Sequence, residues 1–133
     1  MQKSTLVPLA LSLVFVLFTP QAAVAEELSA AQSGALESAG IPPYPGSTYT
    51  TGDDEIATIM WFKSTDSPDT IMDWYKDNLS DWSELDAGGS RVIYKGQAGI
   101  TAADLSTVPY LWARTTDESG VSTDSEITIR IPK

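Results

Sequence analysis

A period of two residues in the apolar pattern marks two segments of the chain as β-strands. Residues 55–63 carry apolar side chains on both sides of the alternation, which indicates a central strand with one face covered by a helix. One set is Ile56, Thr58, Met60 and Phe62, and the other is Ala57, Ile59 and Trp61. In residues 125–131 isoleucines alternate with polar residues, as expected of a strand with one buried face.

The apolar period changes to that of an α-helix after Ser67. Apolar residues then recur at helical spacing and form one stripe, which consists of Ile71, Trp74, Tyr75 and Leu79. Ser67 is a favourable N-cap, Pro68 suits the first helical position, and the helix dipole favours the negative charge of Asp69 in the first turn. The pattern predicts a helix that begins at Pro68 and ends near residues 78–80.

Weaker strand patterns fill the second half of the chain. Residues 82–85 and 91–95 flank a turn at residues 86–89, which ends in two glycines, and residues 101–105 predict a short helical turn. Residues 110–115 predict a further strand. This order is typical of an α+β fold, and we expect an antiparallel sheet of four to five strands with one main helix packed on one face.

The first 25 residues have the three parts of a secretory signal peptide. Lys3 supplies a positive charge, residues 6–18 form an apolar run, and Ala23-Val24-Ala25 provides the small residues that precede a cut. The run is shorter than the roughly 20 residues of a membrane-spanning helix, and no cysteine follows it to carry a lipid. We therefore expect cleavage after Ala25, no stable membrane anchor, and a periplasmic or secreted protein.

The predicted mature chain contains 108 of the 133 residues, which suits one domain. Residues 26–40 are rich in alanine, serine and glutamate and predict a flexible lead-in or a marginal helix. Residues 41–46 contain three prolines, which remove backbone donors and favour an extended chain. The single α+β domain is therefore predicted to span residues 41–133.

Composition excludes several kinds of chemistry. The chain has no cysteine and no histidine, so disulfides, zinc sites built from these residues, and Ser-His-Asp or Cys-His nucleophile systems are excluded. It has 18 acidic and 8 basic residues and a net charge of −10, which becomes one unit more negative when Lys3 leaves with the signal. This charge repels phosphate backbones, so we expect no nucleic-acid partner.

Three motifs link the chain to a group of proteins. They are P-Y-P-G-S at residues 43–47, S-T-D-S-P-D at residues 64–69 and W-Y-K-D-N-L at residues 74–79. In these residues the chain resembles small exported bacterial domains with a Y-P-G-[AS] segment and a T-x-D-S-P…[FW]-Y-K-x-x-L helix. The resemblance covers residues 41–82 and implies an α+β envelope domain of unsettled function. It supplies no catalytic residues, and this chain lacks the lipidation cysteine that many members carry.

Two acidic segments are candidates for a metal site. Asp53, Asp54 and Glu55 are adjacent, so their side chains alternate in direction and converge poorly on a cation. The acidic residues around Gly120 lack the spacing of a calcium loop and predict a hairpin turn. We expect no metal, cofactor or catalytic residues, and therefore no enzyme. Paired carboxylates leave a small carboxylate-dependent hydrolase of an envelope or extracellular substrate as the alternative.

Aromatic residues are the most informative candidates for function. The set consists of Trp61, Trp74, Trp82, Trp112, Tyr44, Tyr75, Tyr94 and Tyr110. Such residues form either a core or a binding platform. Alternation puts Trp61 and Ile59 on the sheet face opposite the helix, and Trp112 joins them if its strand has a matching register. The leading hypothesis is a non-catalytic exported envelope domain that binds a protein partner or an envelope polymer through Trp61, Trp112 and Ile59.

Overall fold

The fold is an antiparallel sheet with two α-helices on one face. The structure is a computed structural model that describes residues 27–116 and 124–133. The helices are α1 (Ala30–Ala39) and α2 (Pro68–Asn78), with a 3₁₀ helix at Ala102–Thr107. The strands are β1 (Thr48–Asp53), β2 (Ala57–Ser64), β3 (Trp82–Ala87), β4 (Ser90–Lys95), β5 (Tyr110–Thr115) and β6 (Ser125–Pro132).

The six strands follow the order β1-β2-β6-β5-β4-β3 across the sheet, and every neighbouring pair is antiparallel. The α+β class is confirmed, but the expected four to five strands are too few. The strand that the sequence pattern did not predict is β1, whose sequence TYTTGD contains one large apolar residue. An edge strand that exposes most of its side chains needs no apolar alternation, so the pattern did not reveal it.

Helix α2 forms as its local signals predict. The Ser67 hydroxyl accepts a hydrogen bond from the Thr70 amide at 3.2 Å, and Pro68 occupies the first turn. Ile71, Met72 and Tyr75 are buried against the sheet, whereas Trp74 lies at the margin and is half-buried. The described part of the chain contains no helix that is long and apolar enough to cross a membrane.

Helix α1 occupies most of the segment that was predicted to be a flexible lead-in. Ser29 and Gln32 form a reciprocal capping box, and the helix ends at Gly40, whose φ of 75° favours glycine. Leu36 and Ala39 are buried in the main core. Helix α1 therefore packs against the residues that follow it, and the domain boundary at residue 41 stays a prediction.

The proline-rich segment is fixed to the start of α2 by side-chain hydrogen bonds. The Tyr44 hydroxyl donates to the Asp66 carboxylate at 2.5 Å, and the Tyr75 hydroxyl donates to the Pro42 carbonyl at 3.0 Å. Tyr44 also meets the ring of Trp74 edge-on, with 5.4 Å between centroids. The three motifs of the sequence are thus in direct contact, and their contacts serve the packing of the domain.

Two cores lie on opposite faces of the sheet. The main core fills the space between the helices and the strands, with Met60, Ile129, Leu111 and Ile93 in one row across β2, β6, β5 and β4. The smaller core lies on the other face, where the 3₁₀ helix covers one half of the sheet. Its buried members are Val92, Tyr94 and Leu105.

Candidate functional site: the aromatic face of the sheet

The face opposite the α-helices carries three rows of side chains across β2, β6 and β5. We call these nine residues the aromatic face. The rows follow from the strand register and are Ile59–Arg130–Tyr110, Trp61–Thr128–Trp112 and Lys63–Glu126–Arg114. All three strands are interior strands: β2 is paired on both sides at Ile59, Trp61 and Lys63, and β5 is paired with β6 along its length and with β4 at Tyr110 and Leu111.

The register brings the predicted contact residues onto one face. Trp61 and Trp112 both pair with Thr128, so the two indoles lie two strand spacings apart, about 10 Å. Ile59 lies two residues from Trp61 on the same side of β2. Thr128 is only 3% exposed although no helix covers β6 on this side, so the neighbouring side chains of the face cover it.

The three predicted residues nevertheless differ in their packing. Trp112 is half-buried and packs against the smaller core beneath the 3₁₀ helix. Trp61 and Ile59 are half-buried too, but they pack against neither of the two cores that the described residues form. Core packing therefore accounts for Trp112 in part and does not account for Trp61.

Tyr110 and Arg130 extend the aromatic surface beyond the two indoles, and the sequence analysis did not single out Arg130. The rings of Tyr110 and Trp112 are stacked, with 5.6 Å between centroids and 17° between planes. The Arg130 guanidinium lies 5.9 Å from the Tyr110 centroid and donates to the Ser106 carbonyl at 3.4 Å. The signal for Arg130 was its alternation with the isoleucines of β6, which places it opposite the core.

A cleft lies beside Trp112, between the 3₁₀ helix and the sheet. Its volume is about 330 Å³, and it is lined by Ala87, Ser90, Val92, Ala102, Leu105, Tyr110 and Trp112. The stacked rings therefore belong to the aromatic face and to the wall of the cleft. The sequence did not predict this cleft, because it forms only when residues 96–109 fold back across β4 and β5.

Charge on the aromatic face differs from charge on the whole chain. The face carries Lys63, Arg114 and Arg130 but one acidic residue, Glu126, which pairs with Arg114 at 3.2 Å. The Lys63 side chain has neither a hydrogen bond nor an ion pair within the described part of the chain. Asp53 lies beside Ile59 on β1, where its carboxylate accepts the Glu55 amide at 2.9 Å. The face is therefore locally positive on an acidic protein.

The acidic residues that precede β2 are engaged in local contacts. Asp54 accepts a hydrogen bond from Thr58 at 3.0 Å and pairs with Lys133 at 3.6 Å. Within residues 27–116 and 124–133, no group of three acidic side chains is arranged to hold a metal ion. Most of the second acidic segment, residues 117–123, lies outside the described residues.

Among the described residues, two carboxyl groups have shifted pKa values, and both shifts are downward. Hydrogen bonds from Arg91 lower the pKa of Glu84, and the backbone amide of Thr101 lowers the pKa of Asp104. A general acid at neutral pH needs a raised carboxyl pKa, so these two groups have the opposite property. The bonds of Glu84 to Arg91 join β3 to β4, and those of Asp104 to Thr101 cap the 3₁₀ helix, which are structural roles.

Comparison with known proteins gave no match: no family model, no curated protein and no solved structure is similar to this chain. The resemblance of residues 41–82 to exported bacterial domains therefore stays a prediction. Function is inferred from the residues of this chain alone.

Proposed function

We propose that the protein is a non-catalytic exported domain that binds a protein partner or an envelope polymer through its aromatic face. The observation that carries the proposal is Trp61, an indole that is half-buried on the face yet packs against neither core. An indole outside both cores contributes less to the stability of the fold than one packed inside a core. Such residues are enriched where proteins contact ligands, because a rigid ring gives a large contact area at a small entropy cost.

The position of Trp61 on a central strand supports the same proposal. The Trp61 carbonyl accepts a hydrogen bond from the Thr50 hydroxyl at 2.9 Å, and its strand is paired with β6 along its whole length and with β1 from Ile59 to Lys63. A side chain on such a strand is held in position by the backbone before any ligand binds. Preorganised contact residues of this kind bind with little loss of conformational entropy.

Substitution of Trp61 by serine tests the proposal. The mature protein, immobilised and exposed to an envelope extract, is expected to retain a specific protein or polymer that the Trp61→Ser variant loses. Circular dichroism should show the same folded state for both proteins, since Trp61 belongs to neither core.

Ile56→Ser is the matched control for loss of apolar surface. Ile56 is 80% exposed and lies before β2, away from the aromatic face, so its substitution should leave capture unchanged. Equal capture by wild-type protein and folded Trp61→Ser would refute a role for the aromatic face. Unfolding of Trp61→Ser would show instead that the indole is part of the core.

A further inference from the structure

The aromatic face combines rings with uncompensated positive charge. Trp61 has Lys63 two residues along its own strand, and Arg130 lies one row away on β6. Arg114 is neutralised by Glu126, whereas Lys63 is unpaired within the described residues. Charges beyond about 8 Å are largely screened at physiological salt, so these neighbours determine what approaches the indole, despite the acidity of the rest of the protein.

We propose that the ligand of the aromatic face is an anionic polysaccharide. Its sugar rings stack on Trp61 and Trp112, and its acidic groups pair with Lys63 and Arg130. This inference rests on the proposed function, because it assigns a ligand class to the same surface.

The spacing of the side chains fits a chain that crosses the strands. Trp61 and Trp112 lie in one row, about 10 Å apart. The two cations lie in the rows on either side of it, each about 7 Å away because two residues along a strand separate neighbouring rows. A polymer that follows the tryptophan row therefore has Lys63 along one edge and Arg130 along the other, and acidic groups on either edge can pair with a cation. Beyond Trp112 it reaches the cleft of about 330 Å³, where Tyr110 lines the wall.

A sugar polymer suits this face better than an extended peptide. Peptides that bind sheets use the free backbone groups of an edge strand. Around Trp61 and Thr128 the strands β2 and β6 are paired on both sides, whereas β5 pairs with β6 along its length and with β4 only at Tyr110 and Leu111. At Trp61 the face therefore offers ring surface, a threonine and cations, and recognition there depends on side chains.

Binding of defined polymers tests the inference. Tryptophan fluorescence and calorimetry of the mature protein are followed during titration with polygalacturonate, dextran sulfate, neutral dextran and poly-L-glutamate. We expect binding of at least one of the two acidic polysaccharides, weakened by added salt, and no binding of neutral dextran or poly-L-glutamate. Dextran and dextran sulfate share one backbone, so the difference between them measures the contribution of the negative charge. Poly-L-glutamate supplies negative charge without sugar rings.

Two charge reversals locate the site. Lys63→Glu is expected to weaken polysaccharide binding about tenfold, since one ionic contact becomes repulsive. Lys76→Glu makes the same change of charge on α2, on the other side of the sheet, and should leave binding within about twofold of wild type. Trp61→Ser should abolish the fluorescence change and the binding.

The outcomes separate this inference from the proposed function. Failure of both acidic polysaccharides to bind, equal binding of dextran or poly-L-glutamate, or equal effects of the two charge reversals would overturn the ligand assignment. In each of these cases the proposed function survives if envelope capture is still lost in Trp61→Ser. It fails with the ligand assignment if folded Trp61→Ser retains capture.

Discussion

Trp61 and Trp112 occupy equivalent register positions on either side of Thr128, but their surroundings differ. Trp112 stacks on Tyr110 and packs against the smaller core, whereas Trp61 packs against neither core. Two residues with the same chemistry and the same position in the alternation therefore have different roles, and stability measurements should separate them.

Trp112→Ser is expected to lower the free energy of unfolding by about 2 kcal/mol, because it removes a half-buried indole from a packed cluster. Trp61→Ser should lower it by less, because Trp61 is half-buried but packs against neither core. Urea unfolding of the two variants measures both values. Equal losses would show that the aromatic face is packed as one cluster, and a binding defect of the double variant would then reflect unfolding.

At the scale of elements, the Tyr44–Asp66 hydrogen bond joins the proline-rich segment to the loop that precedes α2. Ser125 supports the same loop, since its hydroxyl donates to the Asp66 carbonyl at 2.6 Å. Burial and the neighbouring carboxylate raise the pKa of Tyr44 from 10.0 to about 12, because both disfavour the phenolate. The protonated hydroxyl is therefore the form that stabilises the fold.

Tyr44→Phe should lower the free energy of unfolding by about 1–2 kcal/mol at neutral pH, since it removes the hydrogen bond and keeps the ring. A raised pKa means that the bond contributes fully below pH 10 and is lost as the pH rises towards 12. The stability difference between wild type and Tyr44→Phe should thus shrink across that window. Tyr75 is present in both proteins, so its contribution largely cancels; a difference that stays constant with pH would contradict the assignment.

The elements differ in how well the sequence predicts them. Helix α2 was predicted because its signals act within one turn: the Ser67 cap, Pro68 and the apolar stripe. Strand β1 was not predicted, and α1 was predicted only as the alternative to a flexible lead-in, because α1 buries few residues and β1 lies at the polar edge of the sheet. Both elements are stabilised by distant partners, as when the Gln32 amide of α1 donates to the Tyr49 hydroxyl of β1 at 3.0 Å.

For the whole molecule, the candidate site was predictable in part. Alternation placed Trp61 and Ile59 on the face opposite α2, but the position of Trp112 depended on a register that no local pattern specifies. That register arises because β6, the last strand, inserts between β2 and β5. The cleft depends on the fold of residues 96–109 over the sheet, and the apolar residues of this segment, Ile100, Leu105 and Val108, do not specify by themselves where it packs.

The signal peptide is the remaining prediction at the scale of the whole molecule. A cut after Ala25 leaves residues 26–28 ahead of Ser29, the N-cap of α1, so the first helix would stay intact in the mature protein. Signal peptidases accept only small side chains immediately before the cut. Ala25→Leu is therefore expected to block processing and to leave uncleaved precursor, while Ala31→Leu, a matched change in α1 beyond the cut, should be processed normally. Mass spectrometry of wild-type protein should find Glu26 at the N-terminus, and an intact Met1 in protein outside the cytoplasm would contradict the predicted signal.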